Sequence, residues 1–160
     1  MSFYGLVDGS DASLKSYLNN LSGVDQVGAE ARAAMLATRS IKTSSKRWAI
    51  ETAITMVDLT TLEGADTPGK VKALCTKAVR PDPTDSTVPS VGAVCVYNDM
   101  VSVARTHLDL IGGQHVPVAA VSTAFPSGRA SMAVKIQDTQ DAIDAGAAEI
   151  DMVIDRGAFL

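Results

Sequence analysis

Cysteine is scarce in this chain, which limits the kinds of site it can build. Only Cys75 and Cys95 occur among its 160 residues, and neither has a second cysteine or a histidine at the spacing of a zinc site. The pattern therefore predicts neither a disulfide framework nor a metal site. His107 and His115 lack a paired carboxylate at useful spacing, which indicates structural or solvent-facing side chains.

The chain also lacks a basic excess and any long apolar run. With 14 basic and 18 acidic residues the formal charge is -4, so no general positive field attracts a nucleic-acid backbone. No run approaches the roughly 18 apolar residues of a membrane span, and the N-terminus does not resemble a secretory leader. We expect a cytoplasmic protein that binds neither nucleic acid nor membranes.

The nearest approach to a basic cluster surrounds Thr43-Ser44-Ser45. Its basic members are Arg39, Lys42, Lys46 and Arg47. Polar, charged stretches of this kind are typical of exposed loops. We interpret this one as a solvated connector.

Continuous apolar runs dominate the rest of the chain. The composition, 46% hydrophobic and 20% charged, is that of one globular unit or part of one. Apolar runs typical of strands buried on both faces span residues 54–59, 91–97, 116–122 and 148–154. These four segments are the predicted strands.

Helical patterns separate the predicted strands. Asp66-Thr67-Pro68 supplies a cap and a first-turn proline for the first helix, and Asn98 is the predicted cap of the second. Gly112-Gly113 ends the second helix, and Gly146 ends a third that spans about residues 131–145. The apolar stripes of the first two helices consist of Val71, Leu74, Cys75 and Ala78, and of Val101, Ala104, Leu108 and Ile111.

Alternating strands and helices predict parallel β-α-β units. No glycine-rich phosphate loop follows the first strand, so a nucleotide-binding doubly wound sheet is disfavoured. We predict the N-terminal half of a (β/α)₈ TIM barrel, truncated and spanning residues 48–160. Residues 1–47 are predicted to form a helical N-terminal extension whose two amphipathic helices pack on the outside or bottom of the barrel.

Two carboxylates interrupt the apolar strands, Asp58 and Asp151. Burying a carboxylate without partners is costly, so chemistry explains these positions better than packing does. In TIM barrels catalytic groups project from the C-terminal ends of strands, where we also expect Cys95. The structural alternatives are a loop cap for Asp58, a buried ion pair for Asp151 and a small apolar core residue for Cys95.

Five ordered motifs resemble the N-terminal half of the 2-deoxyribose-5-phosphate aldolase family. Four of them contain Asp58, Cys75, Cys95 or Asp151, and the fifth is Phe125-Pro126-Ser127-Gly128. The resemblance covers about residues 46–160. It implies a class I aldolase that reversibly cleaves the small phosphorylated sugar 2-deoxy-D-ribose 5-phosphate to acetaldehyde and D-glyceraldehyde 3-phosphate.

The resemblance also implies roles for individual residues. Asp151 corresponds to the catalytic aspartate of a proton relay, and Asp58 to an active-site aspartate. Cys95 and Thr60 correspond to residues that line the substrate pocket. The reaction would proceed through a lysine Schiff base without metal or other cofactor.

The lysine that this chemistry needs is missing from the predicted strands. All seven lysines fall on predicted helices or in the N-terminal connector: Lys15, Lys42, Lys46, Lys70, Lys72, Lys77 and Lys135. In the family the Schiff-base lysine and the phosphate-binding loops lie on later strands, so we expect this chain to be inactive alone. The alternative is a non-catalytic half-barrel assembly module, and a homo-oligomer stays open.

Overall fold

The structure, a computed structural model, describes residues 10–160. The chain divides into two compact units, Met1–Lys42 and Thr43–Leu160. Within the described residues, no helix is long and apolar enough to cross a membrane. The predicted domain boundary at residue 47 stays a prediction.

The first unit contains α1 (Asp11–Asn19) and α2 (Gln26–Ala37). The Ser10 hydroxyl accepts a hydrogen bond from the Ser13 backbone N–H (3.2 Å), and the Asp25 carboxylate accepts one from the Gly28 N–H (2.9 Å). Each cap satisfies a backbone donor that the first helical turn leaves unpaired. Both N-terminal helices are confirmed, and their packing on a barrel stays a prediction.

A third helix, α3 (Thr43–Ile54), occupies two segments that the sequence analysis assigned otherwise. The predicted connector is wrong from Thr43 onward, where the chain is helical, whereas the predicted solvent exposure of its basic residues is confirmed. Arg47 stabilises the helix through an ion pair to Glu51 one turn later (2.7 Å). It also forms an ion pair with Asp85 in the loop after α4 (3.8 Å). The predicted start of the first strand is wrong as well, since Ile54 ends α3.

Four parallel strands form one sheet in the order β1-β2-β3-β4. The strands are β1 (Asp58–Thr60), β2 (Ala93–Tyr97), β3 (Val118–Ser122) and β4 (Glu149–Met152). The helices of this unit after α3 are α4 (Pro68–Val79), α5 (Val101–Leu110), α6 (Met132–Asp144) and the short α7 (Arg156–Phe159). The predicted succession of parallel β-α units is confirmed.

Local sequence explains where these helices begin and end. Thr67 caps α4 ahead of Pro68, and Ser131 caps α6 by accepting from the Val134 N–H. Gly112 and Gly146 adopt φ of 76° and 101° just after α5 and α6, where a side chain would be strained. The predicted cap at Asn98 is wrong: its amide donates to Asp138 of α6 instead, and a 3₁₀ turn precedes α5.

The two faces of the sheet differ. On the helix face, Val94, Val96, Val118 and Ala120 pack with buried side chains of the α4, α5 and α6 helices, including Val71, Cys75, Ala104, Leu108 and Ala142. On the opposite face, here called the inner face, lies a smaller cluster of Cys95, Ala119 and Val121. The predicted helix stripes therefore cover one side of the sheet, and these helices do not cover the inner face.

Candidate functional site

The strand register sets polar side chains side by side on the inner face. Thr60 pairs with Cys95, Cys95 with Ala119, and Ala119 with Glu149, which forms one row across all four strands. One step further along the strands, Tyr97, Val121 and Asp151 form the next row on this face. Because successive strand residues alternate between faces, Asp58 and Asp151 both belong to the inner face.

The two predicted catalytic aspartates do not contact each other. Asp58 is the first residue of β1 and Asp151 the third of β4, and these are the outermost strands. Three strand spacings of about 4.8 Å separate the two strands in the sheet. Asp58 and Asp151 therefore approach the space above Cys95 from opposite edges.

Both aspartate side chains are exposed, contrary to the expectation that β4 buries its carboxylate. The ion pairs within residues 10–160 include neither residue. Among these residues, the buried ion pair weighed for Asp151 is therefore absent. The cost of burying a carboxylate therefore does not apply to Asp58 and Asp151, and what unites them is their common face of the sheet.

Cys95 lies between these carboxylates and responds to their charge. The residue is 3% exposed, and burial is the main cause that raises the pKa of its thiol above the ordinary value. The negative charge of Asp151 raises the pKa further, as do Asp58 and Glu149, while hydrogen bonding by Thr60 opposes the change. The raised pKa keeps the Cys95 thiol protonated, so it is not an activated nucleophile.

An apolar wall stands beside the row that contains Asp151. Leu62, Tyr97 and Phe125 pack against the Cys95 cluster. The rings of Tyr97 and Phe125 meet edge to face, with centroids 6.1 Å apart. The inner face thus combines carboxylates with apolar surface, which is typical of a site that binds a small organic molecule.

The loop after β1 is held by a carboxylate that the sequence analysis treated only as part of a helix cap. Asp66, whose side chain is 5% exposed, accepts from Thr61 Oγ1 (2.9 Å) and from Lys70 Nζ (2.6 Å). The Lys70 hydrogen bond is the largest cause that lowers the pKa of Asp66. The Thr61 N–H also donates to the Cys95 carbonyl (3.1 Å), so this loop stays attached to β2.

A second polar network, centred on Asp138 of α6, follows β3. Its carboxylate accepts from Asn98 Nδ2 (2.9 Å), the Ala124 N–H (3.2 Å) and Ser122 Oγ (3.3 Å). Burial raises the pKa of Asp138, but these hydrogen bonds outweigh burial and lower the pKa below its usual value. The sequence analysis missed Asp138 because its partners come from other elements and nothing local in α6 marks it.

The seven lysines lie on helices or in the segment before α3. Lys15, Lys46 and Lys135 lie on α1, α3 and α6, three more lie on α4, and Lys42 precedes α3. No lysine lies on any strand among residues 10–160. These strands therefore offer carboxylates and a thiol but no amine for Schiff-base chemistry.

The amino-acid sequence is similar to that of known enzymes over most of its length. The chain is 37% identical over 132 residues to a mouse deoxyribose-phosphate aldolase, an alignment that covers 78% of this chain. This chain is similar to part of a deoxyribose-phosphate aldolase. The family resemblance seen in the five motifs is thereby confirmed. No family model matches the chain.

The deoxyribose-phosphate aldolases also share the fold. A solved structure described as such an aldolase from Coccidioides immitis superposes with a TM-score of 0.54 and 28% identity, over 64% of this chain and 36% of that one. A tetrameric deoxyribose phosphate aldolase from Aeropyrum pernix gives a TM-score of 0.57 at 22% identity, over 68% of this chain and 41% of that one. The predicted half of a TIM barrel is confirmed. The chain spans about two fifths of the length of the curated relatives it matches, 41% in each case.

Proposed function

We propose that this chain forms the first four β-α units of a deoxyribose-phosphate aldolase, which cleaves 2-deoxy-D-ribose 5-phosphate to acetaldehyde and D-glyceraldehyde 3-phosphate. The observation that supports it most is the common face of Asp58, Thr60, Cys95 and Asp151. The similarity to aldolases over most of the chain supports the reaction class. Degradation of deoxyribonucleotides in the cytoplasm is the setting that this activity would serve.

In this proposal, Asp151 transfers the proton during cleavage. Cleavage of the bond between C2 and C3 of the open-chain sugar removes the proton of the C3 hydroxyl and later returns a proton to C2. The Asp151 carboxylate is exposed on the inner face and forms no ion pair with any residue of 10–160, so it can accept and return that proton, directly or through a water. Asp58 would bind substrate from the opposite edge, while Thr60 and Cys95 line the pocket between them.

In this proposal, the lysine that forms the Schiff base belongs to the part of the aldolase that lies outside the segment matched by this chain. A nucleophilic lysine needs a lowered pKa, which a position at a barrel strand end near another cation provides. The lysines of this chain lie on helices or before α3, so none has such a position. The chain alone is therefore inactive in this proposal, and it supplies the proton relay to a complete barrel.

A chimera tests the proposed function directly. The matched segment of the mouse aldolase is replaced by the corresponding residues of this chain, and release of acetaldehyde from 2-deoxy-D-ribose 5-phosphate is measured. Cleavage well above that of a chimera whose Schiff-base lysine is replaced supports the proposal. A folded chimera that forms the imine with acetaldehyde yet cleaves no sugar phosphate would refute it.

The second candidate function is a non-catalytic half-barrel that assembles with a second copy. Within the part of the chain that the structure describes, no strand pairs with the outer edges of β1 and β4, and unpaired strand edges are templates for pairing with another chain. Light scattering separates the two functions. A stable, monodisperse dimer of the 160-residue chain would support assembly, whereas the aldolase proposal requires the activity of the completed barrel.

A further inference from the structure

Thr123, the residue directly after β3, has a backbone conformation that β-branched residues rarely adopt. Its φ is 65°, and the next residue, Ala124, has the same value. Such a conformation costs free energy and persists only where the surroundings over-determine it. Thr123 is also buried, at 9% exposure, so its contacts lie within the protein.

The Thr123 hydroxyl holds the backbone at the exit of β4. Its oxygen accepts from the Val153 N–H (2.8 Å) and lies 2.7 Å from the Val153 carbonyl oxygen. The same oxygen lies 2.6 Å from the Ser122 carbonyl, so its single proton is donated to one carbonyl at a time. Backbone pairing of β3 with β4 ends at Ser122 and Met152. The hydroxyl thus extends the connection one residue beyond the ladder.

Residues 123–128 are themselves fixed from two sides. The Ala124 N–H donates to Asp138, the centre of the network between β2, β3 and α6. Gly128 approaches the β4 exit so closely that a Cβ atom there would lie 2.4 Å from the Ile154 carbonyl oxygen. The Thr123 hydroxyl is therefore presented to β4 by a rigid loop.

We infer that Thr123 is a positioning residue that holds the exit of β4 and, through it, the Asp151 carboxylate on the inner face. Asp151 has no ion pair among the described residues, so the backbone of β4 determines where it points. Among residues 10–160 no strand pairs with the outer edge of β4, so β3 and the loop that follows it are its support there. The catalytic meaning rests on the proposed function, whereas the positioning itself does not.

Two variants that differ by one oxygen atom test this inference. Thr123→Ser and Thr123→Ala both relieve the strain of a β-branched side chain at positive φ, and only Thr123→Ser keeps the hydroxyl. Amide hydrogen exchange at Val153 is measured in the 160-residue chain. Loss of one hydrogen bond should speed exchange by about tenfold in Thr123→Ala relative to Thr123→Ser. Equal exchange rates in the two variants would overturn the inference.

The titration of Cys95 gives a second measurement, which a purely structural role would not change. Asp151 raises the pKa of this thiol together with Asp58 and Glu149, while Thr60 lowers it. If Thr123 positions Asp151, the pKa of Cys95 followed by ¹³Cβ NMR falls in Thr123→Ala and not in Thr123→Ser. In an Asp151→Asn background the two Thr123 variants should titrate alike. A persistent difference there, or no difference with Asp151 present, would contradict the inference.

Neither measurement requires aldolase activity, so they distinguish this inference from the proposed function. In the active chimera, Thr123→Ala should lower kcat relative to Thr123→Ser with little change in KM, since substrate contacts remain. If the chimera is inactive but Val153 exchange and the Cys95 pKa change as expected, only the proposed function is refuted. If the chimera is active but neither quantity changes, only the role of Thr123 is refuted.

Discussion

Asp151 of β4 raises the pKa of the Cys95 thiol of β2, although β3 lies between their strands. The strand register explains this coupling, because Asp151 lies one inner-face step beyond the row that contains Cys95. The intervening side chains, Ala119 and Val121, are small or apolar and carry no charge to compensate. The carboxylate and the thiol therefore share one electrostatic environment above the sheet.

Asp151→Asn should reduce kcat of the chimeric aldolase by about 10²- to 10⁴-fold, the usual contribution of general acid-base catalysis. The fold and most of the substrate affinity should remain, because Asp151 is exposed and forms no ion pair among residues 10–160. The matched control is Asp155→Asn. Asp155 caps α7 by accepting from the Ala158 N–H (3.1 Å), and asparagine caps helices equally well. If both variants lost kcat to a similar extent, the proton-relay role of Asp151 would be refuted.

Acetaldehyde and borohydride should leave no stoichiometric adduct on any single lysine of the 160-residue chain. The physical reason is that its lysines lie on helices or before α3, and none lies at a strand end of the sheet, where a Schiff-base lysine of a barrel is expected. Intact mass followed by peptide mapping gives the answer. One fully modified lysine would show that the chain carries its own Schiff-base residue.

Asp138→Asn should destabilise the chain by about 1 to 3 kcal/mol at pH 7, since it turns an acceptor of several hydrogen bonds into a mixed donor and acceptor. The folded-state pKa of Asp138 is below its unfolded value of about 3.9. Its stabilising contribution is therefore fully present above that value and is lost as pH falls through the folded pKa. Urea unfolding between pH 6 and pH 3 should show a shallower loss for Asp138→Asn than for wild type. Asp141→Asn, exposed on the same helix, should follow wild type.

Gly128→Ala should destabilise the chain by at least about 1 to 2 kcal/mol. Alanine is strained at the φ of 69°, and its Cβ would meet the Ile154 carbonyl. Gly64→Ala is the control, because a Cβ at Gly64 meets no atom within 4 Å. Thermal unfolding of both variants should separate them clearly. Equal melting temperatures would mean that the loop after β3 can move to accommodate the added Cβ atom at little cost in stability.

The isolated chain should bind a hydrophobic dye. Met132, Ile136, Met152 and Ile154 expose between 46% and 69% of their surface around one cavity of about 510 Å³ beside α6 and β4. Ile136→Glu should reduce dye fluorescence without loss of stability, because the side chain is 64% exposed. Val27→Glu, at a comparably exposed site in α2, should change it little. Equal effects of the two substitutions would show that the dye does not select this surface.

The sequence was sufficient for the helix stripes, which follow from periodicity, and for the strand order, which follows from alternating strands and helices. The common face of Asp58, Cys95 and Asp151 comes instead from the strand register, since Asp58 begins β1 and Cys95 is the middle residue of β2. The start of β1 was misplaced because a short apolar run such as residues 54–57 fits a helix end as well as a strand. Asn98 was misread as a cap because its partner, Asp138, lies 40 positions away. Such tertiary hydrogen bonds leave no local signal.

Ala119 is the smallest side chain in the row that runs from Thr60 to Glu149. Its methyl group lies between Cys95 and Glu149 in the row, and Ala119 is only 3% exposed, because Leu62, Tyr97 and Phe125 pack against the cluster that it shares with Cys95 and Val121. A larger side chain at residue 119 would have to displace these neighbours. Residue 119 is therefore a place where the shape of the inner face can be changed while every charged group of the row stays unaltered.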